Sequence, residues 1–223
     1  MMSRFQIAID GPAGAGKSTV ARLVAKQLGL TYVDTGAMYR GIAWRALKEN
    51  ISISHEDALS ALAKETQFQL ENEGIRINGQ WLNEELRTPQ VSQLASAIAK
   101  MAKVRQALVS KQQEIARYQN VVMDGRDIGT HVLPHANIKV FLTASIEKRA
   151  HRRFLELQAK GLSVNEKTLQ EEIRKRDEND RKRKHSPLRK AEDAILIDTT
   201  EQSIPEVVEK ILELCRTKVG GGE

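Results

Sequence analysis

Asp124, Arg126 and Asp127 stand around a glycine in VVMDGRDIGT, residues 121–130, directly after three apolar residues. Val121, Val122 and Met123 read as the end of a buried strand. Residues that follow such a strand end are common ligand-binding residues in α/β proteins. A guanidinium there can fork onto phosphate oxygens, and a carboxylate can accept from a hydrogen-bond donor. The same residues would also suit a charged turn with a local Asp–Arg pair. Other stretches of the chain have to decide between the two.

Gly11, Pro12, Ala13, Gly14, Ala15, Gly16, Lys17, Ser18 and Thr19 spell GPAGAGKST, a match to G-x-x-x-x-G-K-[ST]. The match follows the apolar run FQIAID and opens the periodic segment STVARLVAKQLG, the setting this motif requires. Glycines let the backbone curl until several N–H groups face one phosphate chain, and the helix N-terminus adds positive potential. Lys17 is placed to reach the β- and γ-phosphates, and the Ser18 hydroxyl to help hold Mg2+. The expected ligand is a nucleoside triphosphate, which raises the question of what accepts its phosphoryl group.

Two further blocks bear on the acceptor. DTGAMYR, residues 34–40, follows a second apolar run and places Arg40 early in a helix near the ligand edge of the sheet. Arg40 and Arg126 converging near a phosphate loop suit a second phosphate, because guanidinium forks bind phosphate oxygens in pairs. In IRKRDENDRKRKHSPLRK, residues 173–190, Arg176, Asp180 and Arg183 fall at i, i+4 and i+7 and share one helical face. Arginines fixed there can neutralise charge developing on a transferring phosphoryl group. The preceding EKRAHRRFLELQAKG carries Arg149, Arg152 and Arg153 and reaches Gly161, a candidate hinge for a lid over residues 150–170 that excludes water.

The elements that must position these residues are legible as five apolar runs, FQIAID, TYVD, NVVMD, IKVFLTA and AILIDTT, mostly separated by helical patterns. Strands alternating with helices predict a three-layer α/β fold around a five-stranded parallel sheet. In the first helix Val20, Leu23, Val24 and Leu28 are expected on one face, with Gly29 ending it. In the last, Val207, Val208, Ile211 and Leu212 share a face. FQLENEGIRINGQWLNEEL breaks the rhythm: alternating residues around Asn78-Gly79 predict a small antiparallel insert. Thr88-Pro89 then caps a helical region. The expected division is a core of residues 1–65 and 88–223 with an inserted piece at 66–87.

At 223 residues the chain is long enough for one sizeable core, and a net charge of +6 favours anionic partners. The lone Cys215 can form no internal disulfide and is expected to pack. No run is long enough for a membrane span and no signal peptide precedes the first strand, so the expectation is a cytoplasmic protein. The GGGE end reads as a flexible tail.

GPAGAGKST, DTGAMYR, MDGRDIGT, KRAHRR, KRDENDRKRKHSPL and IDTT resemble, in order and spacing, the motifs of the bacterial-type cytidylate kinase family. The resemblance covers roughly residues 5–215 and implies a P-loop kinase fold with a small antiparallel insert that binds the nucleoside monophosphate, and a helical lid. It implies transfer of the γ-phosphoryl group of Mg-ATP to CMP or dCMP, and the chain is expected to be a monomer that binds no nucleic acid. Carried over residue by residue, Arg126 and Arg40 hold the acceptor phosphate, and Asp127 reads the cytosine with Ser96 and Arg105. Arg176 and Asp180 contact the sugar and phosphate region, and Arg183 completes that face. Thr35 and Asp124 join the acceptor site, and Asp124 can also orient Mg2+ through water. Lys17, Arg126, Arg176 and Arg183 are the implied catalytic group. The family often has serine where this chain has Thr35, which keeps the hydroxyl.

Cytosine offers an amino donor at N4 and acceptors at N3 and O2, which suit a carboxylate facing arginine and serine. Uracil puts a carbonyl where the amino group was. Ser96 and Arg105 are nine residues apart, on opposite faces of a straight helix, so the assignment predicts a helix break near Met101–Lys103. Two rivals use the same loop: a kinase for another small acceptor such as shikimate or a different nucleotide, and an ATP-switched nucleic-acid-binding protein exploiting residues 173–190. Against the second, aspartates interrupt the basic run and 4% aromatic residues leave few stacking platforms.

Overall fold

The computed structural model describes residues 4–71 and 74–220. Residues 72–73 of the expected insert and 221–223 of the GGGE tail lie outside the described residues. In chain order the elements run β1 (Gln6–Asp10), α1 (Lys17–Leu28), β2 (Thr31–Asp34), α2 (Thr35–Lys48) and α3 (Glu56–Glu65). Three short strands follow, β3 (Phe68–Glu71), β4 (Gly74–Ile77) and β5 (Gln80–Leu82), then α4 (Pro89–Ile98) and α5 (Ala102–Tyr118). The chain closes with β6 (Val121–Gly125), β7 (Ile138–Thr143), α6 (Ile146–Ala159), α7 (Glu166–Arg181), β8 (Ile195–Asp198) and α8 (Ile204–Gly220).

Each of the five apolar runs forms a strand of one parallel sheet, in the order β2-β6-β1-β7-β8. Period-2 alternation divides its side chains between two cores. Ala8, Val33 and Met123 face α2, α4 and α5, whereas Ile7, Ile9, Val122 and Val140 face α1 and α8. With helices on both sides, the strands read as continuous apolar runs. Cys215 is buried among the second group, as its amphipathic setting predicted.

In α1 the buried face is Lys17, Val20, Ala21, Val24 and Ala25, and Leu23 is exposed. Of the expected face Val20, Val24 and Leu28 pack on the core and Leu23 does not, its place being taken by Ala21 and Ala25. Small residues let α1 lie close to the sheet, which brings the phosphate loop down onto the strand ends. Gly29 ends the helix at φ 64, its N–H bonded to the Ala25 carbonyl.

The small sheet has three antiparallel strands, β3-β4-β5. Asn78 (φ 49) and Gly79 (φ 81) make the tight turn between β4 and β5, both in the left-handed conformation this turn demands. Ile75, Ile77 and Leu82 are buried against α2 and its neighbours, each contributing roughly 1.5–3 kcal/mol. Thr88 caps α4 by accepting from the Val91 N–H, with Pro89 in the first turn.

Gly11 begins the phosphate loop at φ 146, and a Cβ there would drive into the Leu142 carbonyl of β7. Gly11→Ala combines backbone strain with that clash. It is expected to cost roughly 3 kcal/mol, read as a lowered midpoint in chemical denaturation. An unchanged midpoint would mean that the loop can leave β7 freely.

Candidate active site

The strand order sets the site. β1 and β6 are neighbours, with Ile9 paired to Asp124 and Asp10 to Gly125, so the phosphate loop and the DGRD block leave adjacent strand ends. Ligands of open α/β sheets bind in this crevice, beyond the carboxyl ends of the strands.

In the glycine-rich loop, Gly16 (φ 86) enters α1, and Lys17 folds back so that its Nζ donates to the Pro12 carbonyl at 2.7 Å. Lys17 is 6% exposed. Burial, followed by the positive charge of Arg126, lowers its ammonium to about 7. The Ser18 hydroxyl donates to Asp124 Oδ2 at 2.9 Å, and the Tyr32 hydroxyl to Oδ1 at 2.9 Å. Burial and the nearby Asp34 charge push the Asp124 carboxyl up to about 6, against the pull of Lys17 and those two hydroxyls. A hydroxyl oxygen and a carboxylate side by side are hard oxygen ligands, the donor set that Mg2+ accepts alongside phosphate and water. Among the described residues no group of three or more His, Cys, Asp or Glu could hold a metal by itself. A metal at Ser18 and Asp124 would therefore be shared with the nucleotide. Thr35 is buried, and its hydroxyl donates to the Asp124 carbonyl at 2.7 Å.

Arg126, Arg176, Asp180 and Arg183 form one charged cluster beside β6. Arg126 Nε donates to Asp180 Oδ2 at 2.8 Å, and Arg183 Nε to the Asp180 carbonyl at 3.3 Å. Burial pushes the Asp180 carboxyl up, but the Arg126 and Arg183 guanidiniums outweigh it and hold it below the usual range. Enclosure by protein, then the like charges of Arg126 and Arg40, lower the Arg176 guanidinium to about 10, although its side chain still reaches solvent. The single helical face expected for 176, 180 and 183 needs correction. α7 ends at Arg181, and Arg183 reaches the cluster from the loop beyond it. Arg40 is held to one side by its own cap residue. Its Nη2 donates to Asp34 Oδ2 at 3.0 Å, while Asp34 Oδ1 accepts the Ala37 N–H at the start of α2. Three buried polar atoms here make no hydrogen bond among the described residues: Tyr39 Oη, Arg40 Nε and Arg183 Nη2. Buried donors without partners are rare in folded proteins.

Arg105 and Asp127 form a buried ion pair through Arg105 Nη2 and Asp127 Oδ2. A helix break makes this possible. α4 stops at Ile98 and α5 starts at Ala102, so the interruption spans Ala99–Met101, overlapping the predicted break only at Met101. No proline or glycine causes it. Arg105 Nη1 donates to the Ala99 carbonyl at 3.1 Å, and the buried side chain stabilises the bend from within. Ser96 lies half-buried on α4 and makes no side-chain hydrogen bond among the described residues.

Sequence reasoning passed over two residues that hold these groups and gave a third a different setting. Tyr32, the second residue of β2, places its hydroxyl on Asp124. Asp10 is the last residue of β1, directly before the phosphate loop, and a carboxylate ending an apolar run could have drawn attention to it. Arg149, grouped in the sequence with lid arginines, is 3% exposed and structural. Its guanidinium donates to Ala144 and Ala13 carbonyls at 2.9 and 3.0 Å and pairs with Asp177 at 2.7 Å, tying the phosphate loop to α7. Arg152 donates to the Thr199 hydroxyl at 3.1 Å, joining α6 to the IDTT segment.

Comparison with known proteins adds kinship to this geometry. The family model described as Cytidylate kinase matches residues 7–217. The cytidylate kinase of Alkaliphilus oremlandii (strain OhILAs) is 49% identical over 215 residues, covering 96% of this chain and 99% of that one. That of Bacillus subtilis (strain 168) is 50% identical over 222 residues, covering 98% and 99%. Among solved structures, an uncharacterized protein from Eubacterium ventriosum ATCC 27560 shares the fold at 14% identity, with a TM-score of 0.51 over 94% of this chain and 97% of that one. With a family match running from β1 into α8 and half the residues shared over whole chains, this protein belongs to the cytidylate kinase family.

Proposed function

We propose that this chain transfers the γ-phosphoryl group of Mg-ATP to CMP or dCMP, yielding CDP or dCDP and ADP. The observation that carries the reading is the identity, about half of all residues over nearly the full length, with proteins named cytidylate kinase. In this reading the loop Gly11–Thr19 cradles the triphosphate, and Lys17 spans its β- and γ-phosphates. Ser18, with Asp124 through water, would hold Mg2+, which when bound neutralises charge on the phosphate oxygens. Arg126 and Arg40 take the acceptor phosphate, with Arg40 leaving Asp34 to do so. Arg176 and Arg183 stabilise the charge that spreads over the transferring group. Asp127 accepts from the cytosine amino group, Arg105 and Ser96 donate to the ring acceptors, and Asp180 and Thr35 complete the acceptor side. The segment 66–87 belongs to the acceptor-binding part, and the α6–α7 region near 150–170 acts as a lid turning at Gly161. The chain works as a cytoplasmic monomer.

The direct test is ADP formation from Mg-ATP with CMP, dCMP, UMP, AMP and shikimate offered separately. Fast turnover with CMP and dCMP, with UMP far behind, is the expected result. Turnover with shikimate or AMP alone would replace the acceptor. ATP binding without turnover of any acceptor, together with salt-steep binding of RNA, would point to the nucleic-acid reading.

Lys17 gives a second test. Its ammonium sits at about 7 because burial disfavours the charge. A triphosphate beside it raises that value, so nucleotide binding at pH 8 is expected to take up about one proton at Lys17, and affinity is expected to weaken as pH rises from 7 to 9. Calorimetry in buffers of different ionisation enthalpy measures the uptake. Proton release, or none, would show that Lys17 is already charged before the nucleotide arrives.

A further inference from the structure

We infer that Asp10 is a positioning residue for the acceptor base, holding the loop that presents Asp127 from the root of the phosphate loop. The inference deepens the proposed function and rests on it. Asp10 ends β1, is 4% exposed, and is followed directly by Gly11, where the phosphate loop begins. Its two carboxylate oxygens accept from two successive backbone N–H groups, Ile128 to Oδ1 at 2.8 Å and Gly129 to Oδ2 at 2.7 Å. Those are the residues immediately after Asp127. The chain there winds into a wide helical turn, Ile128–Val132, in which the Asp127 carbonyl accepts from His131 at 2.9 Å and from Val132 at 3.2 Å. The first N–H groups of any helical turn lack partners inside it. Here both are supplied from another strand by one side chain.

The chemistry narrows what could replace it. Only a carboxylate offers two acceptor oxygens and no donor. An asparagine would accept one N–H and set its own NH2 against the other. Burial pushes the Asp10 carboxyl up to about 6 even though both backbone donors favour the charged form. A carboxylate therefore stands where the interior opposes one, and the two N–H groups it satisfies are the compensation. Lys139, whose stem runs beside Gly129, does not serve as its counter-ion. The Lys139 ammonium goes to the Asp193 carboxylate at 2.7 Å and to the Pro134 carbonyl. On the far side of the turn Asp127 reaches Arg105. Any shift at Ile128 and Gly129 is passed to that pair one residue away.

Two variants test this, each assayed beside wild type with CMP and UMP at saturating ATP, and with ATP varied at saturating CMP. Asp10→Asn is expected to raise KM for CMP by at least about 10-fold and to narrow the CMP-to-UMP ratio of kcat/KM by a similar factor, with KM for ATP changing less than about 2-fold. Gly129→Ala leaves the carboxylate in place but adds a Cβ 3.2 Å from Lys139 Cδ and 3.4 Å from Asp10 Oδ2. It is expected to shift the same two quantities the same way by about 3-fold, and it decides the matter alone if Asp10→Asn does not fold. Parallel rises in both KM values would show a merely structural carboxylate and overturn the inference, as would an unchanged CMP-to-UMP ratio. If wild type itself fails to use CMP, the proposed function falls and this falls with it. If wild type uses CMP and the variants discriminate like it, only the positioning role falls.

Discussion

Arg126→Ala is expected to lower kcat/KM for CMP by about 1,000-fold or more, the scale at which a single arginine serves phosphoryl transfer. Two losses combine. One is a guanidinium that the proposed mechanism places on the acceptor phosphate. The other is the partner of Asp180, whose Oδ2 accepts from Arg126 Nε at 2.8 Å. Without it a buried carboxylate is left facing Arg176 and Arg183 alone, and the cluster has to rearrange. Lysine cannot stand in, because one ammonium cannot hold Asp180 and fork onto a phosphate at once. Arg126→Lys should therefore recover little. Steady-state kinetics with a circular dichroism check of folding measure the effect. Near-normal turnover in Arg126→Ala would sink the assignment of the acceptor site.

Asp127 carries the second large effect, on selectivity. Its carboxylate accepts only, which suits the cytosine amino group and opposes the uracil carbonyl. Asp127→Asn puts a donor in the same place. The ratio of kcat/KM for CMP over UMP is expected to fall by at least about 100-fold, since sites built around a buried hydrogen bond discriminate on that scale or above. Asp127→Ala goes further. Asp127 and Arg105 pair in the interior, at 8% and 5% side-chain exposure, and removing the carboxylate leaves a buried guanidinium uncompensated. A stability loss of about 3–5 kcal/mol is expected in denaturant titration. CMP binding should weaken far more than ATP binding, and equal losses would argue against base reading. Asp127→Asn is the cleaner variant, because its amide oxygen can still accept from Arg105.

Much of the phosphate loop is legible in the sequence. A strand, a glycine-rich loop and a helix follow one another in the chain, so GPAGAGKST carries its own structural context. The hairpin at Asn78-Gly79 is equally local, because the turn itself demands residues that tolerate positive φ. The break before α5 follows in the sequence only from the requirement that Ser96 and Arg105 share a base, with no helix-breaking residue to mark it. It falls at Ala99–Met101 because Arg105, buried against Tyr39 and Asp127, takes the Ala99 carbonyl for itself. The place of Arg149 is hidden for a related reason. The sequence groups it with Arg152 and Arg153 before the lid hinge, and only the fold puts two carbonyls and Asp177 around it.

The sequence by itself determined the layers, the phosphate loop, the small antiparallel sheet and the family, since each rests on periodicity, turn chemistry or motifs within a few residues of chain. Tertiary structure alone decided that β6 lies between β2 and β1. That order puts Asp124 within reach of both Ser18 and Tyr32, sets Asp10 beneath the Asp127 loop, and gathers Arg126, Asp180 and Arg183. It also decided the charge state of the site, lowering Lys17 to about 7 and raising Asp124 and Asp10 to about 6. Burial and long-range neighbours set these properties, and neither is written in local sequence.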